Sequence, residues 1–151
     1  MKKVFTYLLC FLPWLISGII FKFDANYYEM LNIPAFAIPP KLVSVVWIIL
    51  YILISISIYM VSKEKNIVKE GDYFYVLITN YIANQLFLYV FFTLKSPFFG
   101  FVITTITFVS SIFLYLETRN IKKQASYYLI SYVLFNIYAF LLSLTVYIMN
   151  F

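Results

Sequence analysis

Long uncharged apolar runs alternate with short charged gaps along this chain. The runs are Val4 to Phe21, Leu42 to Val61, Tyr73 to Leu94, Phe98 to Leu116 and Ser126 to Asn150, and none contains Lys, Arg, Asp or Glu. Each approaches the roughly 20 residues that a helix rising 1.5 Å per residue needs to cross ~30 Å of hydrocarbon. The runs are continuously apolar, which predicts helices, because a barrel strand alternates faces and is only ~10 residues long. The pattern therefore predicts an all-α fold: an integral membrane five-transmembrane-helix bundle, a single membrane domain over residues 1–151, with an outward loop at residues 22–41.

Composition agrees with the pattern. Hydrophobic residues make up 64% of the chain and charged residues 11%, too few for the charged outer face of a water-soluble domain. Lys2 and Lys3 precede the first run, Lys63, Lys65 and Lys69 follow the second, and Arg119, Lys122 and Lys123 follow the fourth. One side thus holds eight of the eleven basic residues, leaving Lys22, Lys41 and Lys95 on the other. By the positive-inside rule the N-terminus is cytoplasmic and the C-terminus outside; the expected location is a cell membrane, taken as bacterial. The apolar stretch after the initial MKK lacks a small-residue cleavage site, and Pro13 and Trp14 stand where one would fall, so it is expected to be a retained helix.

The gaps after the second, third and fourth runs are short, which predicts successive helices as antiparallel neighbours. No internal repeat is visible, and the paired half-helices of many secondary transporters are missing. Three glycines, Gly18, Gly71 and Gly100, leave packing to aromatic and small polar residues. Cys10 reads as a small buried hydrophobe.

With no His and one Cys, the chain lacks the usual ligands for haem, zinc or copper, so no cofactor or metal is expected. No embedded carboxylate offers an ion or proton path. The formal net charge of +5 follows membrane topology and does not indicate nucleic-acid binding.

Uncharged polar and aromatic residues within the runs remain. Asn80 and Asn84 lie one turn apart with Gln85 beside them, followed by Phe87, Tyr89, Phe91 and Phe92. Tyr132, Phe135, Asn136 and Ala139 fall at i, i+3, i+4 and i+7, one stripe of the last helix. A carboxamide in hydrocarbon must find a partner or line a cavity, so these stripes read either as glue between helices or as the wall of a site. Between the first two runs, Tyr27 and Tyr28 are followed by Pro34, Pro39 and Pro40. Proline fixes φ and holds the preceding residue extended, which predicts a stiff, non-helical lid.

At these residues the sequence resembles the translocator proteins, also called tryptophan-rich sensory proteins or peripheral-type benzodiazepine receptors. The family's aromatic-Tyr pair, Leu, Pro, Pro-Pro and V-W-x-x-L-Y elements look like Tyr27-Tyr28, Leu31, Pro34, Pro39-Pro40 and Val46 to Tyr51 here. The third-helix element is similar to Asn80 to Phe87, and the fifth-helix element to Leu129 to Phe135.

The resemblance implies a membrane receptor, commonly a homodimer, that binds a porphyrin or other hydrophobic small molecule under the first loop, in a sensory or tetrapyrrole-handling role. By position it implies ligand-binding residues Tyr28, Pro39, Trp47, Tyr51, Asn84, Phe87, Tyr132, Phe135 and Ala139. Lys22 or Lys41 at the loop edges would meet propionates. The sequence departs from the pattern at Phe87 and Phe135, where the family carries tryptophans, at Ser131 in place of a proline, and at Ile38. Light-dependent porphyrin degradation, attributed to oxidisable tryptophan, loses support here, and no catalytic residue is assigned. A small-molecule or lipid transporter and a scaffold subunit without a ligand remain as alternatives.

Overall fold

The computed structural model describes residues 2–151, with side chains from Val4 onward; Met1 and the side chains of Lys2 and Lys3, which entered the count of basic residues, lie outside that description. All regular elements among the described residues are helical. They are α1 (Lys2–Phe11), a 3-10 turn (Leu12–Leu15), α2 (Ile16–Ile20), α3 (Ala25–Met30) and α4 (Pro40–Glu64). A second 3-10 turn (Ile67–Lys69) leads to α5 (Gly71–Leu88), which runs into a π turn (Tyr89–Thr93) before α6 (Pro97–Ile121) and α7 (Lys123–Met149).

Four stretches, Pro40–Glu64, Gly71–Thr93, Pro97–Ile121 and Lys123–Met149, are long and apolar enough to cross a membrane, and Val4–Ile20 is a shorter apolar helix. Their outward faces stay apolar, as at Ile48, Ile49 and Ile52 on α4 and Leu134 and Leu141 on α7, all exposed. Such a surface suits lipid as solvent.

The first run departs from an unbroken span because Pro13 cannot donate to the helix ladder. The backbone there narrows to the 3-10 turn before resuming as α2. In a low-dielectric interior a broken ladder needs other partners, and α5 supplies them. The Tyr81 hydroxyl donates to the Pro13 carbonyl at 3.0 Å. Gln85 uses both ends, accepting from the Ser17 amide at 2.8 Å and donating to the Trp14 carbonyl at 3.3 Å.

The helices form a ring: α1 packs on α4, α4 on α7, α7 on α6, α6 on α5, and α5 on α2. The expectation that all successive long helices are neighbours holds for α5, α6 and α7 but not for α4 and α5, between which the first apolar helix is inserted. At the basic end the ring is packed through. Ile54, Val61, Tyr73, Leu114 and Leu129 form one cluster with Trp14 at its edge. An ion pair from Lys122 to Glu64 ties the α6–α7 junction to the end of α4.

The opposite end is closed by the segment between α2 and α4. Asp24 caps α3, its carboxylate accepting from the Tyr27 amide at 3.0 Å, so Tyr27 and Tyr28 sit on a short helix rather than in the loop expected. From Leu31 to Pro39 the chain is non-helical, in keeping with its prolines. Two ties hold this lid to α7. The Ile38 amide donates to the Tyr138 hydroxyl at 2.9 Å. The Asn32 amide donates to Asn150 Oδ1 at 2.8 Å, while Asn150 Nδ2 returns a bond to the Asn32 carbonyl at 2.9 Å.

Candidate functional site

Beneath the lid lies a cavity of about 600 Å3 walled by the first helix, α4, α5, α6 and α7, within the size range of small-molecule sites. Phe91 and Phe92, both buried, are brought side by side at its upper edge by the π turn, which inserts an extra residue into the end of α5. Lys95, with φ of 51°, then reverses the chain into α6. Gly100 is required at the next contact, since a Cβ there would stand 2.5 Å from the Phe91 ring.

Seven of the nine residues anticipated from sequence line this cavity: Tyr28, Trp47, Tyr51, Asn84, Phe87, Phe135 and Ala139. The Trp47 ring meets Phe135 edge-on at 5.4 Å and tilts against Tyr51 at 5.5 Å. Phe87 stacks on Phe91 at 5.4 Å. Ala139, one turn beyond Phe135, contributes little bulk and leaves the volume open. The Asn84 carboxamide accepts from the Tyr51 hydroxyl at 2.7 Å, fixing both across the interior.

The other two are placed elsewhere. Pro39 is exposed, serving as the N-cap residue of α4. Tyr132 is 0% exposed behind the wall, and its hydroxyl donates to Asn80 Oδ1 at 2.8 Å. Asn80 is itself held by α6, donating to the Thr107 carbonyl at 3.1 Å and to Ser110 Oγ at 2.9 Å. On one stripe of α5, Asn80 is therefore glue and Asn84 is wall.

Sequence reasoning missed Trp14. It is 2% exposed, stacks with Tyr51 at 5.6 Å, meets Tyr81 edge-on at 5.2 Å and lines the cavity floor. The usable signal was an indole directly after a proline in mid-run, where a helix break turns a side chain inward. Asn136, Thr104 and Thr107 also line the cavity and were not assigned to it.

Charge is confined to the rim. No described Lys, Arg, Asp or Glu lines the cavity. Lys22 lies in a shallow cleft that shares Phe23 and Phe92 with it, whereas Lys41 lines neither. Asp24, at the same rim, pairs with Lys95 at 3.2 Å. The Tyr27 amide, and next the Lys95 ammonium, hold its carboxyl below the usual carboxylate range. Burial raises the Tyr28 hydroxyl above its ordinary value, so it faces the cavity as a neutral phenol at physiological pH.

A helical membrane protein with an aromatic, charge-free cavity under a pinned lid is the class that fold and site define. The TspO/MBR family pattern matches residues 6–149, and the chain belongs to that family. It is 27% identical to the tryptophan-rich protein TspO of Bacillus cereus (strain ATCC 14579) over 152 aligned positions, covering 99% of each chain. It is also 28% identical over 134 positions to an uncharacterized membrane protein, YtaB, of Bacillus subtilis (strain 168), covering 89% of this chain and 86% of the other.

Proposed function

We propose that this protein is a membrane receptor for a hydrophobic small molecule of the porphyrin class, held in the cavity under the lid in a sensory or tetrapyrrole-handling role. The observation carrying this reading is the convergence of Trp14, Trp47, Tyr51, Phe87 and Phe135 on one charge-free space of about 600 Å3. Flat macrocycles bury large areas against such rings and gain offset and edge-on contacts. The propionates of a porphyrin would lie at the rim, where Lys22 stands beside the shared Phe23 and Phe92. In this reading Val4–Ile20 crosses the bilayer as the fifth helix of a single membrane domain, with the N-terminus cytoplasmic, the C-terminus outside, and a homodimer as the assembled form.

Both tryptophans line the cavity, so their emission reports occupancy. Titration of purified protein with protoporphyrin IX is expected to quench it saturably. Trp47→Phe should retain binding with a smaller signal, and Asn84→Ala should weaken it. Absence of saturable quenching in the wild type, or unchanged binding by Asn84→Ala, would overturn the assignment.

A further inference from the structure

Depth in the cavity can be read from chain order, because the lid marks one end of every helix. The most distant lining residues are Trp14 on the first helix, Tyr51 on α4, Asn84 on α5, Thr107 on α6, and Phe135 with Asn136 next to it on α7. These six form a floor, and the hydrogen bonds of its hydroxyls and of Asn136 can be followed atom by atom. The Tyr51 hydroxyl is committed to Asn84 Oδ1. Thr107 Oγ1 donates back along its own helix to the Ile103 carbonyl at 2.9 Å. Above it, Thr104 Oγ1 donates to the Gly100 carbonyl and Ser143 Oγ to the Phe140 carbonyl, at 2.7 and 3.0 Å. Hydroxyls bonded in this way spend their single proton on the backbone and offer the cavity lone pairs only.

Asn136 differs. It is 0% exposed, and its Nδ2 donates to the Tyr132 carbonyl at 2.9 Å. That bond fixes the orientation of the amide, since only the nitrogen can face a carbonyl. Oδ1 is thereby left on the other arm, without a partner. Five buried polar side-chain atoms lack a partner among the described residues, on Tyr27, Ser57, Tyr73, Thr118 and Asn136, and only Asn136 belongs to the cavity wall. An amide oxygen in a dry aromatic space carries an unmet desolvation cost that an N–H or O–H on a ligand would relieve. With no cation among the described residues lining the cavity, a carboxylate placed there would lose its hydration with no ion pair to replace it.

We propose that the cavity floor selects an uncharged ligand group bearing an N–H or O–H donor, received by Asn136 Oδ1. This rests on the cavity being a ligand site, and it adds polarity to a site otherwise described by shape. For an elongated or disc-shaped ligand it also sets direction: the neutral donor points to the floor and any acidic group to the rim.

Three probes of one aromatic body separate the possibilities: 1-pyrenemethanol, its methyl ether and 1-pyrenecarboxylate. The alcohol can donate, the ether only accept, and the acid is anionic at neutral pH. Each is titrated into the full chain in lipid nanodiscs while Trp14 and Trp47 quenching is followed, with partition into empty nanodiscs subtracted. The alcohol is expected to bind about tenfold tighter than the ether, as sites built around a hydrogen bond discriminate, with the carboxylate weakest. In Asn136→Leu the alcohol and ether should converge to within about twofold. If the wild type binds alcohol and ether alike, the oxygen is satisfied by water and the proposal fails; it fails equally if the carboxylate binds tightest or if the preference survives Asn136→Leu. Each of those results leaves the receptor reading intact, whereas no saturable quenching by any probe removes both. Should Asn136→Leu not fold, the wild-type ranking decides alone.

Discussion

At the basic end of the bundle, Ile54, Val61, Leu114 and Ala125 are 0% exposed and pack against one another, while at the lid end residues of equally apolar kind stand back from a hollow. Hydrophobicity does not separate the two regions; side-chain shape and backbone geometry do. The packed end is filled mainly by flexible aliphatic chains and Ala125, which close around Tyr73 and on each other. At the lid end, rigid rings wedge against one another in edge-on pairs, the Pro13 break diverts the first helix, and the proline lid spans the top. Aromatics that brace each other cannot collapse as leucines do, so the space persists. The proposed binding role draws on both: the packed half supplies stability while the other stays open.

Inserting volume breaks the comparison most sharply. Ala125→Leu should cost about 3 kcal/mol or prevent folding, because a packed core has no room for three more carbons. Ala139→Leu, the same change in the hollow, should alter stability by less than about 1 kcal/mol yet abolish porphyrin quenching. Thermal unfolding in detergent alongside the titration checks both, and equal destabilisation would remove the distinction.

Next in size, Gln85→Leu deprives the Ser17 amide and the Trp14 carbonyl of their partners. It is expected to lower stability by about 2 kcal/mol and to loosen the first helix where it walls the cavity, with faster amide exchange at Ser17 than at any site in α6. Unchanged exchange at Ser17 would show that the break is satisfied in another way.

The smallest effect concerns the lid alone. The Asp24 carboxyl is held below its ordinary value, near ~3.9, first by the Tyr27 amide and then by Lys95. Its contribution is therefore present above that ordinary value and lost as pH falls through the lowered one. Acidification through that window should speed exchange of the Tyr27 amide while the packed end is unaffected. Asp24→Asn, which retains the cap but not the charge, should flatten the response.

The packed half and the lid were legible in the sequence for different reasons. Uncharged runs report lipid directly, and prolines fix φ whatever surrounds them, so the long helices and the extended Leu31 to Pro39 segment could be read locally. Periodicity also placed Asn80 beside Asn84, and Tyr132 beside Phe135. It could not say which member of each pair would be sealed behind the wall and which would line the cavity. Thr107, Ser110 and Tyr132 take up Asn80, and nothing in α5 itself encodes that. Trp14 was hidden for a related reason: a proline shows that the ladder breaks, but only Tyr81 and Gln85 determine where the freed backbone, and the indole with it, will turn. The ring order escaped because short connections limit distance without dictating which helix slips between two others.

The paired Asn32 and Asn150 bonds anchor the lid to the residue that follows α7, so anything joined to the chain just beyond Asn150 shares that anchor. A reporter or affinity tag fused there would tug on the same carboxamide that tethers the lid. Any assay of membrane topology or ligand uptake that relies on such a fusion would then be measuring a protein whose lid has been disturbed, and a tag placed ahead of α1 is the sounder choice.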